Sequence, residues 1–157
     1  MPNWCDNELT IIGRKDELSS FSERYSNKDT QLSLNLITPR PEGMTDWYDW
    51  SVKHWGTKWD IEATSEFTES AYFDPVGDDP ISQITYKFMS AWGPPDVAIK
   101  TLIRRYPDFC FAMFYVEPGM CFHGWLSGSK GDIRAEECKD EIPRHDTGWM
   151  ANELWQQ

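Results

Sequence analysis

Two segments of the chain repeat apolar residues at three- and four-residue spacing, the period of a helix with one buried face. In residues 15–25 these positions are Leu18, Phe21 and Tyr25. In residues 96–106 they are Ile99, Leu102, Ile103 and Tyr106. Acidic residues lie at the start of the first segment, where the helix dipole favours negative charge. Pro107 follows the second segment, and a helix ends there because proline lacks an N–H. The pattern therefore predicts two amphipathic helices.

Six other segments alternate apolar and polar residues or are apolar almost throughout, which is typical of strands. They are residues 1–12, 31–36, 61–67, 82–89, 109–116 and 120–127. Within 31–36 the alternating positions are Leu32, Leu34 and Leu36. Residues 109–116 are nearly all apolar, so we expect this strand near the centre of the sheet.

The order of these elements predicts an α+β fold: a ferredoxin-like antiparallel sheet with two helices on one face. We assign this domain to residues 1–127, with an aromatic-rich insertion at about 40–60 that is helical or irregular and turns at Gly56. Residues 128–157 are polar and without periodicity, so we expect an irregular C-terminal extension packed on the same domain. A short helix is expected within it, near residues 149–155.

Length and composition favour one globular domain. The chain has 157 residues, of which 39% are hydrophobic, enough to bury a core without a disulfide or a metal. No apolar run approaches the ~20 residues that span a bilayer, and no basic-then-apolar segment opens the chain. We expect a cytoplasmic protein that does not contact membranes.

The charge balance argues against direct nucleic-acid binding. The net charge is −11, whereas binding to phosphates needs a basic face. Between Asp60 and Ile99, eight acidic residues stand against a single lysine. This acidity serves solubility, or it steers a basic partner, in which case Asp74, Asp78 and Asp79 are candidate contact residues.

The cysteines do not predict a metal site or a nucleophile. Four cysteines are widely spaced and form no C-x-x-C pair, so we expect reduced thiols that pack in the core. Cys121 and His123 would share a face if both were in a strand, which would permit a nucleophile–base pair or half a zinc site. Packing is the preferred interpretation. We predict no catalytic residues, no metal and no cofactor.

The stretch from His54 to Asp60, HWGTKWD, is the best candidate binding site. A lysine between two indoles, with a neighbouring hydroxyl, could form a stacking platform for a base or a side chain. The competing interpretation is that both tryptophans pack onto the sheet. The candidate residues are Trp55, Thr57, Lys58, Trp59, Asp60 and, further along the chain, Trp92.

Several ordered motifs resemble one family. They are MPNWCDN at residues 1–7, PRP at 39–41, WGTKWD at 55–60, AWGPP at 91–95 and EPG at 117–119. Together they resemble the YubB-like proteins, a family found on phages and plasmids and described as containing a ferredoxin-like domain. The resemblance covers roughly residues 1–124. It implies a mobile-element origin and the fold predicted above, but no activity or cofactor.

Nine tryptophans in an acidic chain are typical of a protein that binds another protein. The leading hypothesis is a non-enzymatic binding protein of phage or plasmid origin that engages a host protein, with inhibition of a defence system or a regulator as its role. The alternative is a small-molecule or nucleotide-binding domain that uses the WGTKWD region.

Overall fold

Four helices and six strands follow one another in the part of the chain that the structure describes. This computed structural model describes the backbone of residues 2–73 and 80–139, and the side chains of residues 2–68 and 80–139. The elements are β1 (Trp4–Arg14), α1 (Lys15–Tyr25), α2 (Leu34–Ile37), α3 (Trp47–Trp55), β2 (Thr64–Phe73), β3 (Pro80–Ala91), α4 (Asp96–Arg105), β4 (Cys110–Glu117), β5 (Phe122–Ser129) and β6 (Asp132–Cys138).

The strands form one antiparallel sheet in the order β2-β3-β1-β4-β5-β6. The first four of these strands, with α1 and α4 as the two crossovers, have the β-α-β-β-α-β connectivity of a ferredoxin-like fold. This confirms the predicted α+β class. β1 is central, because Asp6 pairs with Met89 of β3 on one side and with Val116 of β4 on the other.

The helices cover one face of the sheet and form the core with it. Alternate residues of β1, including Leu9 and Ile11, point to this face and are fully buried. The predicted helical faces are buried against them. These faces are Leu18, Phe21 and Tyr25 in α1 and Ile99, Leu102 and Ile103 in α4. Both helices therefore occur where the apolar spacing predicts them.

The strand predicted over residues 31–36 is wrong, because Leu34–Ile37 form the short helix α2. Leu32 and Leu34 are buried as an alternating strand requires, but Leu36 is 41% exposed. The Ser33 hydroxyl accepts a hydrogen bond from the Leu36 N–H at 3.3 Å, which caps the helix. Side-chain caps from Ser33 and Asp60 thus bind backbone N–H groups of this segment, which a strand would pair with a neighbouring strand.

The C-terminal extension is not irregular throughout. Asp132–Cys138 form β6, which pairs with β5 through a two-residue turn at Lys130 and Gly131. Both turn residues have positive φ, at 53° and 79°, as a tight hairpin requires. β6 escaped prediction because nearly all of its side chains are exposed, so apolar residues do not mark its inner face. The helix expected near residues 149–155 lies outside the described residues.

The cysteines are free, but only one of them packs in the core. Cys5 is fully buried, whereas Cys110, Cys121 and Cys138 are exposed. The prediction that all four pack in the core is therefore wrong for three of them. Cys110 is in β4, as expected, but on the face of the sheet opposite to the helices. No helix in the described part of the chain is long and apolar enough to cross a bilayer.

Candidate functional site

The aromatic insertion folds as α3 and a sharp turn. α3 ends at Gly56, which has φ +92° and whose N–H donates to the carbonyls of Ser51 and Val52. A side chain at Gly56 would be strained at this φ, and its Cβ would overlap the carboxylate of Asp96. The turn predicted at this glycine is confirmed. Its close approach to α4 fixes the position of residues 57–60.

Two of the predicted site residues are buried and have structural roles. Trp55 is 2% exposed, and its indole N–H donates to the Thr38 carbonyl at 2.9 Å. Thr57 is 1% exposed, and its hydroxyl donates to the Ala91 carbonyl at 2.7 Å. Neither side chain contributes to an exposed platform. The packing interpretation is correct for these two residues.

Asp60 also has a structural role, although it is exposed. Its carboxylate accepts hydrogen bonds from the Ser33 hydroxyl at 2.8 Å and from the N–H of Leu34 at 2.6 Å. It also accepts the N–H of Ile61 at 2.8 Å. These bonds satisfy free N–H groups at the start of α2 and join that helix to the turn after α3.

Exposed aromatic rings form a continuous row at one end of the sheet. The rings of Trp4 and Trp59 have centroids 6.1 Å apart, and the Lys58 ammonium lies 4.4 Å from the Trp59 centroid. The same ammonium lies 5.4 Å from the Tyr48 ring, which in turn contacts the ring of Trp47 at 6.0 Å. We call this row, Trp4, Trp59, Lys58, Tyr48 and Trp47, the aromatic strip. Its four rings are each 36–43% exposed.

The strip corrects one detail of the prediction. Lys58 does lie between two aromatic rings, but its second ring is Tyr48 and not Trp55. Trp55 points into the core, because the chain reverses direction at Gly56 and places Trp55 and Lys58 on different sides of the turn. A cation over ring faces is held by the ring quadrupoles, which orders Lys58 in the strip.

A groove of about 480 Å³ lies beside the strip. Arg40 lines it with a guanidinium 5.8 Å from the Trp47 ring and 5.7 Å from the Trp55 ring. One of the guanidinium nitrogens donates to the Ser51 hydroxyl at 3.4 Å. Trp59 and Asp60 line the same groove, so it opens directly onto the strip.

Trp92 lies at the same end of the sheet as the strip. It is 45% exposed, has φ +70°, and donates its N–H to the Asn3 carbonyl at 2.8 Å. Its neighbour Ala91 pairs with Trp4 and accepts the hydroxyl of Thr57. Trp92 is thus adjacent to the strip through the backbone. The other candidates, Asp74, Asp78 and Asp79, lie outside the described residues.

The described residues do not assemble a metal site. Among them, no three His, Cys, Asp or Glu side chains are grouped so that they could hold an ion. Cys121 has φ +56° and precedes β5, so it does not share a strand face with His123. The face-sharing interpretation of this pair is therefore wrong. Elsewhere, the His54 ring stacks on Trp50 at 4.3 Å and its Nδ1 lies 2.9 Å from the Trp50 carbonyl.

Sequence reasoning did not select four residues of this site: Trp4, Arg40, Trp47 and Tyr48. The sequence does indicate that Trp4 is exposed, because side chains alternate along β1 and Trp4 lies on the face opposite to Cys5 and Leu9. The sequence does not indicate the position of Arg40, since its guanidinium stacks on rings of a helix that begins seven residues later. Trp47 and Tyr48 begin α3 and are exposed as a first helical turn often is.

Comparison with known proteins adds one structural likeness. No family model matches the chain, and no curated protein matches it. Among solved structures it is similar to the crystal structure of protein api92 from Yersinia pseudotuberculosis, described by the family model DUF1281. The TM-score is 0.46 and the sequence identity is 15%, over 69% of this chain. This chain spans 40% of the length of api92.

Proposed function

We propose that this chain is a non-enzymatic module that binds another protein through the aromatic strip. The observation that carries the proposal is the contiguity of four exposed rings, with the Lys58 ammonium over two of them. Tryptophan, tyrosine and arginine supply most of the affinity at protein interfaces, since they remove large apolar areas from water and keep a polar group available.

The charge of the chain favours a partner with a basic surface. The net charge is −11, and Asp46 and Asp49 are exposed beside the rings of Trp47 and Tyr48. Acidic side chains near an interface raise the association rate of a basic partner, while buried aromatic contacts set the dissociation rate. The acids predicted for steering, Asp74, Asp78 and Asp79, remain candidates for the same role. The same charge disfavours direct nucleic-acid binding.

The resemblance to the YubB-like proteins directs this proposal to a host protein. The proposed location is the cytoplasm of the bacterial host. A stoichiometric binder without catalysis acts by blocking a surface of its target. Inhibition of a host defence system or regulator is therefore the proposed outcome of binding.

Affinity capture from a bacterial host lysate tests the proposal. The wild-type chain is expected to retain a stoichiometric partner that Trp59→Ala and Tyr48→Ala lose, with the far-ultraviolet circular dichroism of both variants unchanged. Phe67→Ala is the matched control, because Phe67 is 40% exposed but lies in β2 level with Ile84 and Ile11, seven residues along β1 from Trp4. Equal capture by the wild type and both strip variants would contradict the proposal.

The groove beside the strip supports the second candidate function, binding of a small planar anion. Arg40 offers a guanidinium 5.8 Å from the Trp47 ring, and Trp59 lines the same groove. A ligand above its Kd raises the melting temperature by mass action. A large shift with one nucleotide, lost in Arg40→Gln but kept in Trp4→Ala, would favour this candidate over protein binding.

A further inference from the structure

A second groove, of about 420 Å³, lies between α1 and the residues that follow α4. It shares no residue with the aromatic strip or with the groove beside Arg40. Both positive and negative side chains line it, together with aromatic rings. The distribution of these groups along the groove indicates which ligand it fits.

One end of the groove is cationic. Arg105 donates to the Tyr25 hydroxyl at 2.9 Å, and Arg24 lies 3.5 Å from the Tyr106 hydroxyl. The two hydroxyls are 3.1 Å apart, which places both guanidiniums at the same end. Among the side chains the structure describes, neither arginine forms an ion pair with a carboxylate. Arg105 also donates to the Ile37 carbonyl at 3.2 Å. Each guanidinium has five N–H donors, so both retain donors for a bound anion.

The other end of the groove is acidic. Glu17 precedes Arg24 by seven residues in α1, which at 1.5 Å per residue separates their backbones by about 10 Å. Asp108 precedes Phe109, whose ring lies against Gly13 just before α1 begins. Glu17 is thus in the first turn of α1, away from the two guanidiniums near its other end, and Asp108 lines the same groove.

The floor between the two ends is aromatic. The Tyr106 ring stacks on Phe109 with centroids 5.2 Å apart and meets Phe21 edge-on at 5.1 Å. Phe21 and Phe109 are buried, whereas Tyr106 is half-buried and faces the groove. A planar group lying on Tyr106 would extend this ring cluster, and such ring contacts are favourable beyond the area they bury.

We infer that this groove binds a short peptide with free termini and an aromatic side chain in the middle. The ammonium would lie between Glu17 and Asp108, the carboxylate between Arg24 and Arg105, and the side chain on Tyr106. An extended peptide rises about 3.3 Å per residue, so a tripeptide spans about 10 Å, which is close to the backbone separation of Glu17 and Arg24 along α1. A ligand with a single charge would leave one of these ends unmatched.

Isothermal titration of the full chain with the tripeptide glycyl-phenylalanyl-glycine tests the inference. The expected Kd is between about 10 μM and 1 mM, the range for a ligand of this size. Acetylation of the N-terminus or amidation of the C-terminus is expected to weaken binding about tenfold or more, because each removes a charge-assisted contact. Replacement of the central phenylalanine by alanine is expected to weaken it as well.

Matched variants assign each terminus to its end of the groove. Arg24→Gln is expected to weaken binding of the free peptide about tenfold but to leave binding of the amidated peptide unchanged. Glu17→Gln is expected to weaken binding of the free peptide about tenfold but to leave binding of the acetylated peptide unchanged. Arg104→Gln and Glu23→Gln are the controls, since both residues are exposed on the same helices but do not line the groove. These controls are expected to bind like the wild type.

Three results would overturn the inference: no heat at peptide concentrations up to about 5 mM, equal binding of free and capped peptides, or no effect of Arg24→Gln and Glu17→Gln on a bound peptide. Each variant changes an exposed side chain, so its fold is expected to be retained and circular dichroism checks this. Trp59→Ala is expected to bind the tripeptide normally, which separates this site from the proposed protein-binding surface.

Discussion

The carboxylate of Asp60 accepts the backbone N–H of Leu34 at 2.6 Å, across 26 residues of sequence. The same carboxylate accepts the Ser33 hydroxyl, whose oxygen also caps α2 through the N–H of Leu36. One exposed aspartate therefore fixes both the start of α2 and the end of the turn that carries Lys58 and Trp59. The position of the aromatic strip depends on this link.

We expect Asp60→Ala to lower the free energy of unfolding by about 1–2 kcal/mol, the usual cost of losing a helix cap. Urea denaturation followed by circular dichroism measures it. Asp60→Asn keeps an acceptor oxygen and is expected to lose less. A cost of zero for Asp60→Ala would mean that water replaces the carboxylate and that the link does not order the turn.

Trp55 and Trp59 are four residues apart and are expected to respond differently to truncation. Trp55→Ala leaves a cavity in the core and should cost about 3–5 kcal/mol. Trp59 is 38% exposed, so Trp59→Ala should cost about 1–2 kcal/mol at most. Thermal unfolding of the two variants under one buffer compares them. Equal costs would place Trp59 in the core and remove it from the candidate binding surface.

Titration of Tyr86 is expected to lower the free energy of unfolding at alkaline pH. Burial raises the pKa of its hydroxyl to about 12, while the nearby Ser22 hydroxyl lowers this pKa in part. Among the described residues, the Tyr86 hydroxyl has no partner in good hydrogen-bond geometry. In the unfolded chain the pKa is near 10, so between about pH 10 and 12 only the unfolded state loses the proton. The stability that Tyr86 contributes is complete below pH 10 and is lost as the pH rises through 12, at about 1.4 kcal/mol per pH unit.

Tyr86→Phe isolates this effect. Its unfolding free energy at pH 7 is expected to equal or exceed that of the wild type, because a buried hydroxyl without a partner is removed. The difference between the two proteins should then grow from pH 10 to pH 12. Parallel pH profiles would show that Tyr86 does not titrate differently in the folded and unfolded states.

Thiol titration distinguishes the four cysteines. Cys110, Cys121 and Cys138 are exposed, whereas burial raises the pKa of the Cys5 thiol and hides it from reagents. A chromogenic disulfide at pH 8 should therefore react with three thiols in the native protein and with four after denaturation, since the thiolate is the reacting form. Cys5→Ala should lose only the slow thiol. Fewer than three fast thiols would contradict the exposed positions.

The elements that the sequence predicts correctly are those whose determinants are local. The apolar spacing of α1 and α4 falls within one helix each, and Gly56 ends α3 because only a residue free of Cβ fits there. The same holds for β4, whose apolar run matches a strand next to the centre of the sheet.

The elements that the sequence misplaces depend on distant partners or lack an apolar face. Leu32, Leu34 and Leu36 alternate like a strand, but hydrogen bonds to the Ser33 hydroxyl and the Asp60 carboxylate cap a helix at the last two. β6 has no inward apolar row, and its one signal is Gly131 in the turn.

The candidate site was predicted in composition but not in geometry. The WGTKWD stretch does contribute Lys58 and Trp59 to the exposed surface, while the same six residues send Trp55 and Thr57 inward. The ring on the other side of Lys58 comes from Tyr48, on the preceding helix. The sequence of a motif does not determine which side chains point into the core and which point to solvent where the backbone turns sharply.

The central position of β1 has a consequence for synthesis of the chain. β1 precedes every other described element of the chain, yet Asp6 pairs with Val116, 110 positions later. At about 5–20 residues per second, β1 emerges roughly 5–20 s before β4 can join it. Until β3 emerges, with Met89 83 positions after Asp6, the apolar row of β1 has neither neighbour of its final sheet, and other contacts must shield it. Slowing translation is expected to increase aggregation of this protein rather than assist its folding.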